Sequence, residues 1–387
     1  MRDEAEHTGV RVRHLYVHVP FCAHRCGYCD FVTVAGREGQ HDAYVDALLA
    51  ELELERHALS ARLESVFLGG GTPTFAAASA LERLLGALPS AAEVTVEANP
   101  ETVTPALARL LSRNRVERVS IGAQSFQARL LHVLERRACA EDVRRAVYVL
   151  RDAGFDNISL DLLYGIPGQG ASDLDRDLAE ALSLEPEHLS CYELEAKPGT
   201  RFTHRYGAEL ARQAEGMEDY FERVVDTLTA AGYRWYETAN FCRAPDRAGG
   251  RDLRARHNLA YWRGRDYLGL GVGAVSTIGS VRSRNTPRLG VYLRALARRE
   301  RPPRELEPLA EDVLARERVM LGLRLDEPLP TRGLERALDR RSLERLEALG
   351  LAARGPGTIT LTRRGRFLGG GVTADLLAYH SSVEAHA

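Results

Sequence analysis

The run HVPFCAHRCGYCDF, residues 18–31, follows a short apolar, strand-like segment, Leu15–Val19, and places Cys22, Cys26 and Cys29 in a Cys-x3-Cys-x2-Cys spacing. Three thiolates from one short loop can hold three irons of a [4Fe-4S] cluster. Such clusters normally take four thiolates, so one iron is left open to something other than protein. A structural zinc site would draw its fourth ligand from a second paired motif. Cys139, Cys191 and Cys242 are scattered singly and form no second pair, but His18 and His24 lie near enough in sequence to complete a zinc shell. The spacing favours the cluster and keeps zinc as the alternative.

Outward from this loop, short apolar runs alternate with longer amphipathic ones. Strand candidates are Leu15–Val19, Ser65–Leu68, Glu93–Ala98, Arg118–Ile121, Asn157–Leu162 and His188–Glu193; helical patterns fill 41–57, 77–88, 104–113, 140–153 and 171–183. Strand and helix in this alternation predict an α/β fold with a parallel sheet and helices outside it. Periodicity alone fits a partial barrel as well as a doubly wound sheet. In both, ligands gather at the C-terminal ends of the strands, which is where the cysteine loop lies.

After the sixth strand the pattern changes. A helix is expected at 214–231, a strand in YRWYETANF (233–241) and a loop over Arg243–Arg256, followed by HNLAYW (257–262) and the Gly-rich YLGLGVGAVS (267–276). From about 308 the spacing predicts helices at 310–322, 331–338 and 341–349 and a hairpin over Gly350–Arg363, a winged-helix-like order. No internal repeat stands out.

Composition narrows the class. The chain has 387 residues, 44% of them hydrophobic, enough for about two domains. No apolar run approaches the ~18 residues of a membrane span. The N-terminal stretch MRDEAEHTGVRVRH lacks the apolar core of a signal peptide. Six cysteines in this length make no disulfide framework. The reading is a cytoplasmic protein in a reducing compartment. Net charge is −2, which gives no global attraction to nucleic acid. The C-terminal arginines (Arg332, Arg336, Arg340, Arg341, Arg345, Arg354, Arg363, Arg364, Arg366) are interleaved with Glu335, Asp339, Glu344 and Glu347. That alternation reads as a solvated face rather than a phosphate-binding one.

Other strand ends carry chemistry. GGGTPT (69–74) follows the second strand; glycines let backbone amides approach a ligand closely. Glu97 ends VTVEANP, Gln124 and Ser125 follow the fourth strand in GAQSF, and Asp161 sits inside the apolar ISLDLLYGIPGQ. A carboxylate in such a strand must be paired or face a ligand, because burying it alone costs several kcal/mol.

CAHRCGYC, FLGGGTPTF, EANP, GAQSF and DLLYGIPGQ together resemble the radical-SAM proteins related to oxygen-independent coproporphyrinogen III oxidase. HNLAYW followed by YLGLGVGA resembles the HemW branch of that family, regarded as heme chaperones. The resemblance covers nearly the whole chain. It implies a partial (β/α)6 barrel as a radical-SAM core at 12–240, an HNxxYW-containing extension at 241–306, and a mainly helical, winged-helix-like unit at 307–387. It implies that Cys22, Cys26 and Cys29 ligate a [4Fe-4S] cluster. Tyr16, Gly70, Gly71, Thr72, Glu97, Gln124, Arg136 and Asp161 would line a pocket for S-adenosylmethionine (SAM), whose amino and carboxylate groups take the open iron. His257 is the implied heme ligand, with Tyr261 and Trp262 as an aromatic wall. The partners implied are heme, a heme-acceptor protein that could itself be membrane-associated, and an electron donor to the cluster. The alternative is a radical-SAM enzyme, either a porphyrinogen oxidase or a methylase using two SAM molecules. Phe31, where the oxidases tend to carry a further cysteine, and the short segment before the first strand both favour the chaperone branch. The chain departs from that branch at Ala138 and Val275, where histidines are usual, and in AKPGT, where an acid is usual.

Overall fold

The computed structural model describes residues 11–195, 197–244 and 250–377. Most of the charged N-terminal stretch, and 245–249 of the segment read as a loop, lie outside the described residues. Six strands follow in chain order: β1 (His14–Val19), β2 (Ser65–Gly70), β3 (Val94–Ala98), β4 (Arg118–Gln124), β5 (Ile158–Tyr164) and β6 (His188–Glu193). Each pairs in parallel with the next. Helices His41–Glu55, Ala78–Ala87, Pro105–Arg113, Ala140–Asp152 and Ala171–Ser183 connect them. This is the partial (β/α)6 barrel, whose first and sixth strands do not pair with each other.

The strands alternate with period two, so each has two chemically distinct faces. Leu15, Val17, Val66, Leu68, Val96, Val119, Ile121, Leu160 and Leu189 are fully buried in one core with the helix residues Leu48, Leu81, Leu111, Val147 and Leu178. The intervening residues are polar or aromatic: His14, Tyr16 and His18 on β1, Ser65 and Phe67 on β2, Thr95 and Glu97 on β3, Ser120 on β4, Ser159 and Asp161 on β5, His188 and Ser190 on β6. A second set of buried polar groups therefore lines the face turned away from the helices. Helix starts are fixed locally: Thr104 accepts from Leu107 N at 3.1 Å ahead of Pro105, and Asp339 accepts from Ser342 N at 2.6 Å.

Beyond β6 the sheet grows at both edges. Leu268–Leu270, from the Gly-rich run, pairs in parallel with β1, Leu15 opposite Leu268 and Val17 opposite Leu270. On the other edge, YRWYETANF is not one strand. It folds into Tyr233–Glu237 and Asn240–Arg243, antiparallel to each other, with the second against β6. Glu237 makes the turn by accepting from Ala239 N at 3.0 Å and Asn240 Nδ2 at 2.6 Å.

The C-terminal part has its own buried cluster, including Val319, Leu329, Leu346, Ile359 and Leu376. Helices Glu311–Gly322 and Arg340–Ala348 form as expected, and Ala352–Gly355 pairs with Thr358–Leu361 as the expected hairpin. The helix expected at 331–338 is a series of turns: Gly333 has φ +81°, which ends helical propagation, while Leu334 and Ala337 supply the buried spacing that imitates a helix. A helix at Arg201–Gln213 carries no comparable signal, because Phe202 is its one fully buried residue.

Candidate functional site

The cysteine loop leaves the end of β1, and Phe21–Cys22 pairs briefly with Val34–Ala35 to close it. Cys29 N donates to Cys26 O at 3.2 Å. All three thiols are free, Cys22 buried and the other two half-buried. Burial pushes the Cys22 thiol up to about 11, offset in part by Thr72 Oγ1 at 3.6 Å, and the Cys29 and Cys26 sulfurs add to the rise. Zinc draws its ligand atoms to about 2.0–2.3 Å of one point; among the described residues no three His, Cys, Asp or Glu side chains are so grouped. His18 is engaged elsewhere: Nε2 donates to Val32 O at 2.8 Å, and Nδ1 accepts from Tyr16 Oη at 3.0 Å. A cluster suits the loop better, since each thiolate then meets a separate iron.

The second strand end is pressed against this loop. A Cβ on Gly70, whose φ is +112°, would sit 2.4 Å from the His18 ring, and one on Gly71 would sit 2.5 Å from the Pro20 carbonyl. Glycine is therefore required at both. Gly71 N donates to Val19 O at 2.9 Å, and Gly70 N to Glu97 Oε2 at 3.1 Å.

Glu97 and Asp161 stand two strands apart on the polar face. Burial, then the nearby Asp161, raises Glu97 to about 7. Burial also raises Asp161 to about 6, against hydrogen bonds from Ser190 and Ser120. Arg136 lies between the carboxylates' strands and the cysteines. Its guanidinium is 3.8 Å from Cys26 Sγ and donates to Asn99 Oδ1 at 2.9 Å and Gly122 O at 2.7 Å, while its buried Nε has no partner. Gln124 sits at φ +66° where the β4–β5 register slips. Such a backbone in a non-glycine residue costs on the order of 1–3 kcal/mol and clusters at functional sites.

The structure thus brings Cys22, Cys26, Cys29, Gly70, Gly71, Thr72, Glu97, Gln124, Arg136, Asp161 and Tyr16 to one mouth. Two contributors are not obvious in the sequence. Asn99 bridges Thr72 Oγ1 (3.0 Å) to Arg136, which the EANP motif holds at a strand end. Helix Arg201–Gln213 buttresses the loop through Phe202 N to Gly27 O at 3.3 Å and Phe202 edge-on to Tyr28.

His257 lies elsewhere, at the opposite ends of the strands. It is 1% exposed. Its Nδ1 pairs with Ser65 Oγ at 2.9 Å, and Ser65 Oγ also pairs with His14 Nδ1 at 2.9 Å; its Nε2 pairs with Tyr261 Oη at 2.9 Å. Burial pushes it down to about 3, so the ring is neutral. As packed, it has no free nitrogen to offer an iron. Its ring stacks on Phe67 at 5.2 Å, and Phe67 on Tyr16 at 6.2 Å, so an aromatic column joins it to the mouth. Of the expected aromatic wall, Tyr261 is in this column, whereas Trp262 packs instead under the Arg324 guanidinium at 4.4 Å.

Residues 16–181 match the Radical SAM superfamily. The heme chaperone HemW of Mycobacterium tuberculosis (strain H37Rv) is 36% identical over 375 residues, 94% of each chain. HemW of Escherichia coli K12 is 37% identical over 268 residues, covering 67% of this chain and 68% of that one. The solved structure of Escherichia coli coproporphyrinogen III oxidase (HemN), a radical SAM enzyme, superposes with a TM-score of 0.78 over 95% of this chain and 90% of that one, at 24% identity, which bears on the fold alone. The chain belongs to the HemW family of the Radical SAM superfamily.

Proposed function

We propose that this protein binds heme and hands it to an acceptor protein, on a scaffold that also holds a [4Fe-4S] cluster and SAM. The observation that carries this is family membership along almost the full chain, with HNLAYW present as a folded helix, Arg256–Trp262. Cys22, Cys26 and Cys29 would hold the cluster, with Arg136 setting a cation beside Cys26. Gly70, Gly71 and Thr72 would meet the methionine end of SAM. Tyr16, Glu97, Gln124 and Asp161 would receive its amine and ribose hydroxyls. When bound, this pair supplies one-electron cleavage of the sulfonium, for which a one-electron donor is needed. The division into 12–240, 241–306 and 307–387 belongs to the same proposal. It is supported by the separate buried cluster in the last part. Among the described residues no helix is long and apolar enough to cross a membrane.

The test is an anaerobic hemin titration of cluster-loaded protein followed by Soret absorbance. Saturation near one equivalent with a shifted band is expected; weak, non-saturating binding would overturn the reading. A radical enzyme is the second reading, favoured by the complete set of groups at the mouth and by a Glu97 that can exchange a proton near neutrality. Decarboxylated porphyrinogen or a methylated product, found after incubation with SAM and reductant, would establish it.

A further inference from the structure

A cleft of about 730 Å³ opens on the far side of Tyr261, between the segment 261–282 and helix Glu311–Gly322. That is within the range of sites that take a small organic ligand, roughly 300–1,000 Å³. Its walls are apolar: Tyr261, Tyr267, Leu314, Leu321 and the half-exposed Met320. Tyr261 and Tyr267 meet edge to face at 4.6 Å, so the column that starts at Tyr16 ends in this cleft.

Three arginines (Arg265, Arg282, Arg318) and three acids (Asp266, Glu311, Glu317) line it, and only some of them pair with one another. Arg282 is paired with Glu317 at 2.6 Å, and Asp266 accepts from Gly279 N at 3.1 Å. Glu311 lies in the first turn of its helix, where the dipole favours an anion. Among the described residues Arg265 and Arg318 form no ion pair; Arg318 reaches the Trp262 carbonyl at 3.3 Å, lying along Gly264. Burial, then the neighbouring Arg265 and Arg263, holds the Arg318 guanidinium below its usual range. Two guanidinia without an ion-pair partner, beside largely apolar walls, can each take a carboxylate of a flat apolar molecule.

We propose that heme is received in this cleft, its two propionates on Arg265 and Arg318 and its macrocycle against Tyr267 and Met320, with His257 a support of the fold behind Tyr261 rather than the iron ligand. This rests on the heme-binding reading above and names its site. Gly264, with φ +57°, is part of the same device: a Cβ there would come 3.0 Å from Arg318 Cδ.

The experiment compares hemin with hemin dimethyl ester, whose propionates carry no charge, on cluster-loaded full-length protein under anaerobic conditions. The ester is expected to bind about tenfold more weakly or worse, as loss of charge-assisted bonds implies. Arg265→Gln and Arg318→Gln should each weaken hemin by about that factor and leave the ester unchanged. Arg265 is exposed, so its variant carries the test if Arg318→Gln folds poorly. His257→Gln should keep both the affinity, within about twofold, and the Soret maximum. Equal affinity for hemin and ester would overturn the cleft, as would arginine variants indistinguishable from wild type. A Soret band displaced by His257→Gln alone would restore the histidine as ligand. Absence of saturable binding of either probe to wild type would instead overturn the heme reading itself.

Discussion

At the C-terminal ends of the strands Glu97, Asp161 and Arg136 are buried, and the Arg136 Nε is left without a partner. At the N-terminal ends His14, Ser65, His257 and Tyr261 are buried with their ring nitrogens and hydroxyls joined in one chain. Both regions occupy the polar face of the same sheet. Burial has opposite effects on them: it raises the acids to about 7 and 6, and it lowers His257 to about 3. An incomplete set of partners marks a place where a ligand finishes the network, and a complete set marks scaffold. The spare Arg136 nitrogen fits the proposed ligand mouth, and the closed chain of bonds around His257 fits a strut.

The comparison breaks most visibly at the cysteines. Cys26→Ala is expected to lose nearly all cluster iron and acid-labile sulfide on reconstitution. Full retention would show that the loop is not the ligand set. Next in size is His257→Ala. It opens a cavity and strands Ser65 and Tyr261, so the apoprotein should lose about 2–4 kcal/mol in urea unfolding. A neutral result would mean that the ring is held for a ligand rather than for the fold.

Glu97→Gln should act in the other direction. A carboxyl with a raised folded-state value contributes stability that is present below its ordinary 4.5 and lost as pH rises through about 7. Removing the charge should therefore stabilise the apoprotein by roughly 1–3 kcal/mol at pH 8, with the gain gone below about pH 4, while SAM binding weakens. The histidine region has the reverse sign. The depressed His257 contributes stability that is present above 6.5 and lost as pH falls toward about 3. His257→Gln should thus flatten the acid limb of the stability curve and leave the alkaline limb alone. Gln124→Gly is the smallest change expected. It relieves the φ of +66° but adds backbone freedom, for a net shift within about 1 kcal/mol, with the loss showing in SAM affinity instead.

Much of the mouth was legible in the sequence because its parts are local. The cysteines lie within eight residues, and the glycines, Glu97 and Gln124 sit at strand ends that alternation could place, whereas Tyr16 and Arg136 came from the family resemblance. The strut was not legible. Ser65 and His257 are 192 positions apart, and no local pattern encodes that pairing. HNLAYW drew attention to His257 as a ligand. The i,i+4 spacing that puts Tyr261 over its ring turned out to satisfy it internally. The break in 233–241 and the turns at 331–338 were hidden for a related reason: apolar spacing reports burial, and Glu237 and Gly333 decide the backbone path instead. The cleft escaped because helix Glu311–Gly322 buries only Val319 and Gly322 fully, so its inner face has no strong apolar stripe.

The three-residue strand Leu268–Leu270 has a role beyond the cleft it borders. It covers the outer edge of β1, whose apolar residues Leu15, Val17 and Val19 are all buried. A bare parallel edge of that kind is a template for another chain. Loosening 256–276 would therefore leave that edge as a sticky strand, and such variants should first be noticed as a concentration-dependent rise in light scattering while cluster content is still normal.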